Sequence, residues 1–224
     1  MLYTCYMIVY TKSEKRITNY NDIKIYFNNL NKFDAIDGLN EYTKYKEIAL
    51  KNNYLSNHYI NYCDKLQGKL GCNLSHIFLL KQFLEKHEAE WLLVLEDDLK
   101  LNNFNEKIID LLIFIANKNN SKFIQLFTGP KFIENQKKAK KIKSYMYEMI
   151  PQWYTLAYLI NRKGIETVLS KLPWNNNVDI IFSNYIKELN SICFINNIFS
   201  NDGSLDSKDK KSNFGSLIWK NISK

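Results

Sequence analysis

The run Trp91-Leu92-Leu93-Val94-Leu95, followed at once by Glu96-Asp97-Asp98, constrains the fold more than any other stretch of the chain. A short apolar run of this length suits a buried strand of an α/β sheet. A buried strand that stops in three carboxylates sets them at the sheet edge, where a divalent cation finds oxygen ligands. Side chains alternate along a strand, so extended geometry carried through the cluster puts Glu96 and Asp98 on one side and Asp97 on the other. Glu96 and Asp98 are then the natural ligand pair for Mg²⁺ or Mn²⁺, which takes carboxylate oxygens together with substrate phosphates. The alternative is a set of exposed acids capping the next turn.

About twenty residues upstream lies Gly68-Lys69-Leu70-Gly71-Cys72-Asn73-Leu74-Ser75-His76. The glycines read as bracketing a turn, and Leu74, Ile77, Phe78 and Leu84 fall at helical spacing, which predicts a helix from Asn73 to about Glu88. Gly71, Ser75 and His76 would then sit at a helix N-terminus, where unpaired N–H groups and the macrodipole attract phosphate. Alternatively Ser75 caps the helix and His76 packs on the sheet.

The rest of the chain alternates in the same way. Strands are expected at Cys5–Tyr10, Phe33–Gly38, Phe123–Thr128, Tyr145–Ile150, Leu156–Ile160 and Ile192–Ile195. Helices are expected at Ile17–Leu30, Asn105–Lys118, Gly164–Leu172 and Val178–Ile186, with short helices or loops over 40–66. This order implies an open mixed, mainly parallel sheet flanked by helices, with ligands at the carboxyl ends of the strands. One domain over residues 1–200 is expected, followed by a polar, basic, mobile tail over 201–224.

With 224 residues and 46% hydrophobic content the chain can bury a real core. Lysine and arginine number 31 against 23 acids, a balance of +8. Part of the excess is crowded at Lys137, Lys138, Lys140, Lys141 and Lys143. Such charge suits nucleic acid, an anionic membrane surface or a phosphorylated substrate. No stretch approaches the roughly 18 to 20 apolar residues of a membrane span, and the first ten residues read as a strand, without the basic start of a signal peptide. Cys5, Cys63, Cys72 and Cys193 show neither a CxxC pair nor a Cys/His metal spacing, so a reducing, intracellular compartment is the simplest reading.

Gly71-Cys72-x-x-Ser75-His76 followed by Leu95-Glu96-Asp97-Asp98 resembles the pattern of glycosyltransferase family 25, the lipooligosaccharide and collagen galactosyltransferases. Ile8-Val9-Tyr10 with Ser13 and Arg16, the hexad Phe33 to Gly38, the segment Thr155 to Gly164, and Val178-Asp179 are similar to further landmarks in the expected order. The resemblance implies a GT-A-type fold, a UDP-galactose or UDP-glucose donor, and inverting transfer to a hydroxyl with Mn²⁺ (or Mg²⁺). On that footing Glu96 and Asp98 hold the metal. Arg16, Asp37, Gly71, Ser75, His76 and Asp97 serve the donor, and Asp179 is the base that takes the acceptor proton; a helix-start role for Asp179 and a surface ion pair for Arg16 remain alternatives.

The family is usually glycine-rich before Ala157-Tyr158, whereas this chain has Gln152-Trp153-Tyr154-Thr155. No histidine follows His87, so the distal histidine that completes the metal shell of some GT-A enzymes is absent. Asp202, Asp206, Asp209, a water or the diphosphate would take its place. Trp153, Tyr154, Tyr158 and Trp174 offer a stacking surface for sugar rings, or core packing. The expected setting is lipooligosaccharide or lipopolysaccharide assembly at the cytoplasmic side, with Lys137–Lys143 against an anionic leaflet. A collagen-type hydroxylysine acceptor, viral ones included, a binder that does not transfer sugar, and a basic nucleic-acid-binding domain are the alternatives; no nucleic acid is expected as a partner of the transferase.

Overall fold

A computed structural model describes residues 2–196 and 198–202, so the expected mobile tail from residue 203 on, with Asp206 and Asp209, lies outside the described residues, while Asn201, placed in that tail, ends a strand. In chain order the elements are β1 (Tyr3–Val9), α1 (Glu14–Lys24), β2 (Leu30–Asp34), α2 (Tyr42–Lys51), α3 (Asn57–Cys63), α4 (Gln67–Lys86), β3 (Trp91–Glu96), β4 (Leu99–Leu101) and α5 (Lys107–Lys118). Next come β5 (Phe123–Gln125), a single 3-10 turn, α6 (Ile133–Gln136), β6 (Lys141–Lys143), β7 (Met146–Glu148), β8 (Ala157–Asn161), α7 (Arg162–Leu169), α8 (Val178–Asn184), α9 (Ile186–Leu189), β9 (Ile192–Phe194) and β10 (Phe199–Asn201). The main sheet runs β2-β1-β3-β8-β5-β9-β7-β6, and β4 pairs with β10 in a separate ribbon. Strands β8 and β7 run against the others. The expected open mixed, mainly parallel sheet is thus present.

Two-residue periodicity sorts the side chains onto two faces. Cys5, Met7, Val9, Leu93 and Leu95 pack with Ile23 of α1 and Ile109, Leu112 and Ile113 of α5. Tyr6, Ile8, Leu92 and Val94 face the other way, onto Leu74, Ile77 and Leu80 of α4. Each of these strand leucines is fully buried, a gain of about 1.5–3 kcal/mol per side chain before entropy is counted. β1 and β3 are parallel in register, Met7 opposite Leu95 and Ile8 opposite Glu96, so Tyr10 and the acidic cluster emerge at the same edge.

Several element bounds differ from expectation. The helix predicted from Asn73 begins at Gln67, so Gly68 and Gly71 lie inside α4 and no turn separates them. The helix predicted over Ile17–Leu30 starts at Glu14 and ends at Lys24, and only its last residue, Leu30, enters β2, which ends at Asp34 and leaves Ala35–Gly38 to a loop. The lysine-rich segment holds the edge strand β6, whose exposed lysines discourage pairing with another chain's strand.

Candidate active site at the carboxyl ends of β1 and β3

Because Glu96 continues the face of Leu92 and Val94, its carboxylate points to α4. There His76 Nε2 lies 3.1 Å from Glu96 Oε1, while His76 Nδ1 is 2.8 Å from the Tyr158 hydroxyl. Thr155 Oγ1 donates to the same Glu96 oxygen. Burial opposes ionisation of Glu96, but the His76 hydrogen bond and charge, the Thr155 hydroxyl and the nearby Arg16 together hold its carboxyl below the usual range.

The strand ends at Glu96, so the extended geometry expected through the cluster gives way to a turn at Asp97 and Asp98, in which Asp97 points to the opposite face. Its carboxylate accepts the Tyr10 N–H at 2.6 Å and pairs with Arg16, which reaches it from the first turns of α1. Both partners are sequestered, Arg16 at 4% and Asp97 at 5% exposure. Burial pushes the Asp97 carboxyl up, against the pull of Arg16 and the Tyr10 amide. Asn19, one turn further along α1, donates to the carbonyls of Asp97 (2.9 Å) and Leu99 (2.8 Å), which fixes the turn bearing Asp98. The surface ion pair weighed as the alternative for Arg16 is a buried one, which pins the acidic turn, while Arg16 also lines the pocket as its donor-binding reading requires.

Gly71 and Ser75 do not present a helix N-terminus to the pocket, since both lie in the interior of α4. Ser75 Oγ donates to the Gly71 carbonyl (2.7 Å) and accepts the Ile36 N–H (2.8 Å). A Cβ on Gly71 would stand 2.5 Å from the Ile36 carbonyl and 2.7 Å from the Gly38 amide nitrogen. Only glycine lets the helix and the loop after β2 approach this closely. The reading of Gly71, Ser75 and His76 as a helix N-terminus is corrected: they lie beyond the first turn of α4, and Gly71 together with Gly38 sets a contact distance.

Asp37 is buried behind that contact. It accepts from Lys12 (2.7 Å), the Leu39 and Asn40 amides, the Asn40 side chain and the Tyr10 hydroxyl. Burial works against its charge, yet these donors lower its carboxyl to about 2. Its lone pairs thus join the loops after β1 and β2, which leaves little capacity for a nucleotide.

Asp98 Oδ2 accepts from Asn201 Nδ2 at 3.0 Å, and the Asp202 N–H donates to the Asp98 carbonyl at 2.7 Å. The β4/β10 ribbon thereby carries Asp202 to the acidic turn. Asp179 stands in the first turn of α8, its Oδ1 2.8 Å from the Ile180 N–H. Burial raises its carboxyl, and the charge of Glu96 adds to the rise. The start of α8 is fixed by Asn73, whose side chain accepts the Val178 N–H and donates to the Asn176 carbonyl, both at 2.8 Å. Ile8, Tyr10, Arg16, Cys72, Ser75, His76 and the three acids line a pocket of about 120 Å³.

The expected sugar-stacking set divides. Tyr158 and Trp174 are fully buried and committed to the His76 imidazole and the Val168 carbonyl. Trp153 is 46% exposed, with Lys131 Nζ 4.4 Å from its ring centre and Phe132 edge-on at 5.6 Å. Tyr154 follows with a positive φ of 143°, its ring filling the space a side chain at Gly129 would need. Sequence reasoning missed Tyr10, Asn73, Thr155, Asn201 and the partnership of Cys72 with His76. The last left a signal, an i,i+4 pair on one helix face.

A pocket walled by acids at the carboxyl ends of parallel strands is where an α/β enzyme holds a phosphorylated ligand. Residues 4–182 match the model described as "Glycosyltransferase family 25 (LPS biosynthesis protein)", which makes the chain a glycosyltransferase. That match takes in most of the chain, and the protein belongs to glycosyltransferase family 25. No curated protein matches it. Among solved structures, a glycosyltransferase involved in glycosylation of the major capsid of PBCV-1 is 14% identical over 83% of this chain and 75% of that one, with a TM-score of 0.45. A197 from STIV is 10% identical over 86% and 81%, at a TM-score of 0.42. Mouse xyloside xylosyltransferase 1 in its apo form is 11% identical over 83% and 82%, at 0.41.

Proposed function

We propose that the protein transfers a hexose, galactose or glucose, from a UDP-sugar to a glycan hydroxyl with inversion, in lipooligosaccharide or lipopolysaccharide assembly. The observation that supports this reading best is one pocket bringing Asp98 and Glu96 to the carboxyl ends of β1 and β3 in a family 25 chain. The family's description as an LPS biosynthesis protein supports the acceptor class.

The donor set suits a hard divalent cation. Asp98 and Glu96 supply carboxylate oxygens in one pocket, and the backbone bond from Asp202 to the Asp98 carbonyl supports Asp202 as a further oxygen ligand. Asp98 and Glu96 would hold the ion, which when bound would offset the charge of the departing diphosphate. Arg16 and Asn19 keep the acidic turn in place for it. On the acceptor side Asp179 takes the hydroxyl proton while that oxygen bonds the anomeric carbon and the sugar–phosphate bond breaks, releasing UDP. Its raised proton affinity makes it a stronger base than an exposed aspartate.

Trp153 and Lys131 extend the site toward the acceptor, since Thr155, two residues on, bonds Glu96. The exposed lysines between Lys137 and Lys143 would rest against the anionic inner leaflet, a peripheral, cytoplasmic placement. Among the described residues no helix is long and apolar enough to cross a membrane.

Incubation with Mn²⁺ and a panel of UDP-sugars, following UDP release and thermal stabilisation, tests the proposal. At least one UDP-sugar should raise the melting temperature with Mn²⁺ present, and Asp98→Ala should abolish that rise. Silence toward every UDP-sugar would refute the reading.

A further inference from the structure

The wall of the pocket formed by α4 and β3 carries a thiol and an imidazole, Cys72 and His76, that the proposed transfer does not use. Cys72 and His76 stand four residues apart on α4, so their side chains share one helix face. Glu96 meets them from β3. One ligand atom from each of the three lies within 4.8 Å of the other two.

We propose that Cys72, His76 and Glu96 form a binding site for a thiophilic divalent cation of the Zn²⁺ kind, distinct in ligand chemistry from the carboxylate site at Asp98. Zinc binds thiolate at about 2.3 Å and imidazole or carboxylate at about 2.0–2.2 Å, which puts neighbouring ligand atoms of a tetrahedral ion roughly 3.3 to 3.6 Å apart. His76 Nε2 and Glu96 Oε1, 3.1 Å apart, already have nearly that spacing. The Cys72 sulfur lies within 4.8 Å of both, so a side-chain adjustment of at most roughly 1.5 Å closes the third corner. Three protein ligands leave a fourth position to water, the pattern of an open zinc site.

The surroundings support the same assignment. The Tyr158 hydroxyl, fully buried, sits 2.8 Å from His76 Nδ1 and orients the ring with Nε2 toward Glu96, the outer support a metal-binding imidazole needs. Thr155 steadies the carboxylate. Burial pushes the Cys72 thiol up, and the charges of Glu96, Asp179, Asp98 and Asp97 add to the rise; the same negative charge favours a cation beside the sulfur. Binding releases the Cys72 thiol proton to solvent, so affinity rises with pH. The softer thiolate and imidazole select Zn²⁺ over Mg²⁺ or Mn²⁺. Occupancy withdraws Glu96 from the ligand pair at Asp98, so Zn²⁺ should inhibit transfer; this consequence rests on the proposed function, whereas the site does not.

The test uses the full chain, metal-free and without nucleotide sugar, titrated with Co²⁺ as a spectroscopic stand-in for Zn²⁺. One equivalent should produce the near-ultraviolet thiolate charge-transfer band and the strong visible bands of tetrahedral cobalt, both bleached by Zn²⁺. Cys72→Ser should lose the thiolate band and bind Zn²⁺ at least tenfold more weakly; Cys193→Ser, on the far side of β8, should keep both. In the wild-type protein, Zn²⁺ but not Mg²⁺ should shield Cys72 from alkylation, read by mass spectrometry, a measurement that needs no variant to fold. Absence of the band, its survival in Cys72→Ser, or alkylation of Cys72 unaffected by Zn²⁺ would overturn the assignment. Since no sugar donor enters, failure here is distinguishable from failure of the UDP-sugar reading.

Discussion

Gly71→Ala sets two effects of opposite sign against each other. In an ordinary helix interior the change stabilises by about 1 kcal/mol through helix propensity. Here the new Cβ would stand 2.5 Å from the Ile36 carbonyl, 2.7 Å from the Gly38 nitrogen and 3.0 Å from the Gly38 Cα, all backbone atoms that cannot rotate aside. Restoring ordinary contact requires α4 and the loop after β2 to part by roughly 0.8 Å, and overpacking of this kind costs about 1–3 kcal/mol. The same displacement stretches the Ile36 N–H to Ser75 Oγ bond from 2.8 Å past the limit of a useful hydrogen bond. A buried amide left without an acceptor adds about 1–3 kcal/mol. The net expectation is destabilisation of about 1–5 kcal/mol, measured by urea unfolding with the slope unchanged. Ser75→Ala should cost only the hydrogen-bond share. A Gly71→Ala protein as stable as wild type would refute the close-approach argument.

Arg16→Met leaves the Asp97 carboxylate buried without its partner and should cost about 3–5 kcal/mol in urea unfolding. Asp97→Leu in the same chain should recover much of it, and a double variant as unstable as the single would show that charge burial is not the cause. Burial already raises the Asp97 carboxyl, so without Arg16 the stability present at low pH should be lost as pH rises through that raised value. Asp179→Asn should keep UDP binding and reduce turnover on the order of 10²–10⁴-fold. In the wild type the base must be ionised, so kcat/KM should fall as pH drops through a value above the usual carboxylate range, and wild-type turnover in the asparagine variant would remove Asp179 from the chemistry. The same raised affinity means that ionised Asp179 costs stability at neutral pH, so the variant should unfold at higher urea.

The apolar run Trp91 to Leu95 and its acidic end were legible because a buried strand and its termination are local properties of the sequence. The opposed directions of Glu96 and Asp97 were expected from alternation, although the strand itself ends at Glu96. The start of α4 was not legible. Glycine inside a helix carries a penalty, and what offsets it at Gly71 is a contact with Gly38, 33 residues earlier, that no local pattern announces. Strands β4 and β10 are three residues each, too short for a period, and their pairing places Asn201 against Asp98 across 103 residues. Asp37 drew attention as a carboxylate after a strand, but the number of internal donors it would collect depends on loop geometry. Cys72 and His76 were both on view, yet attention to CxxC patterns hid their helical spacing.

The reversed direction of β8 has a consequence for how such an enzyme changes. In a wholly parallel sheet every segment at the ligand-bearing edge leaves a strand, and each is also the start of a return helix. β8 reverses this: the segment from Gln152 to Thr155 arrives at that edge, ahead of the strand rather than after it. It can be rewritten without altering where β1 and β3 deliver Tyr10 and the acids. Divergence at Trp153 and Tyr154 is thus separable from the donor wall, joined to it through the Thr155 hydroxyl. On the proposed function, a lineage keeping that threonine is free to exchange acceptors while its leaving-group chemistry stays put.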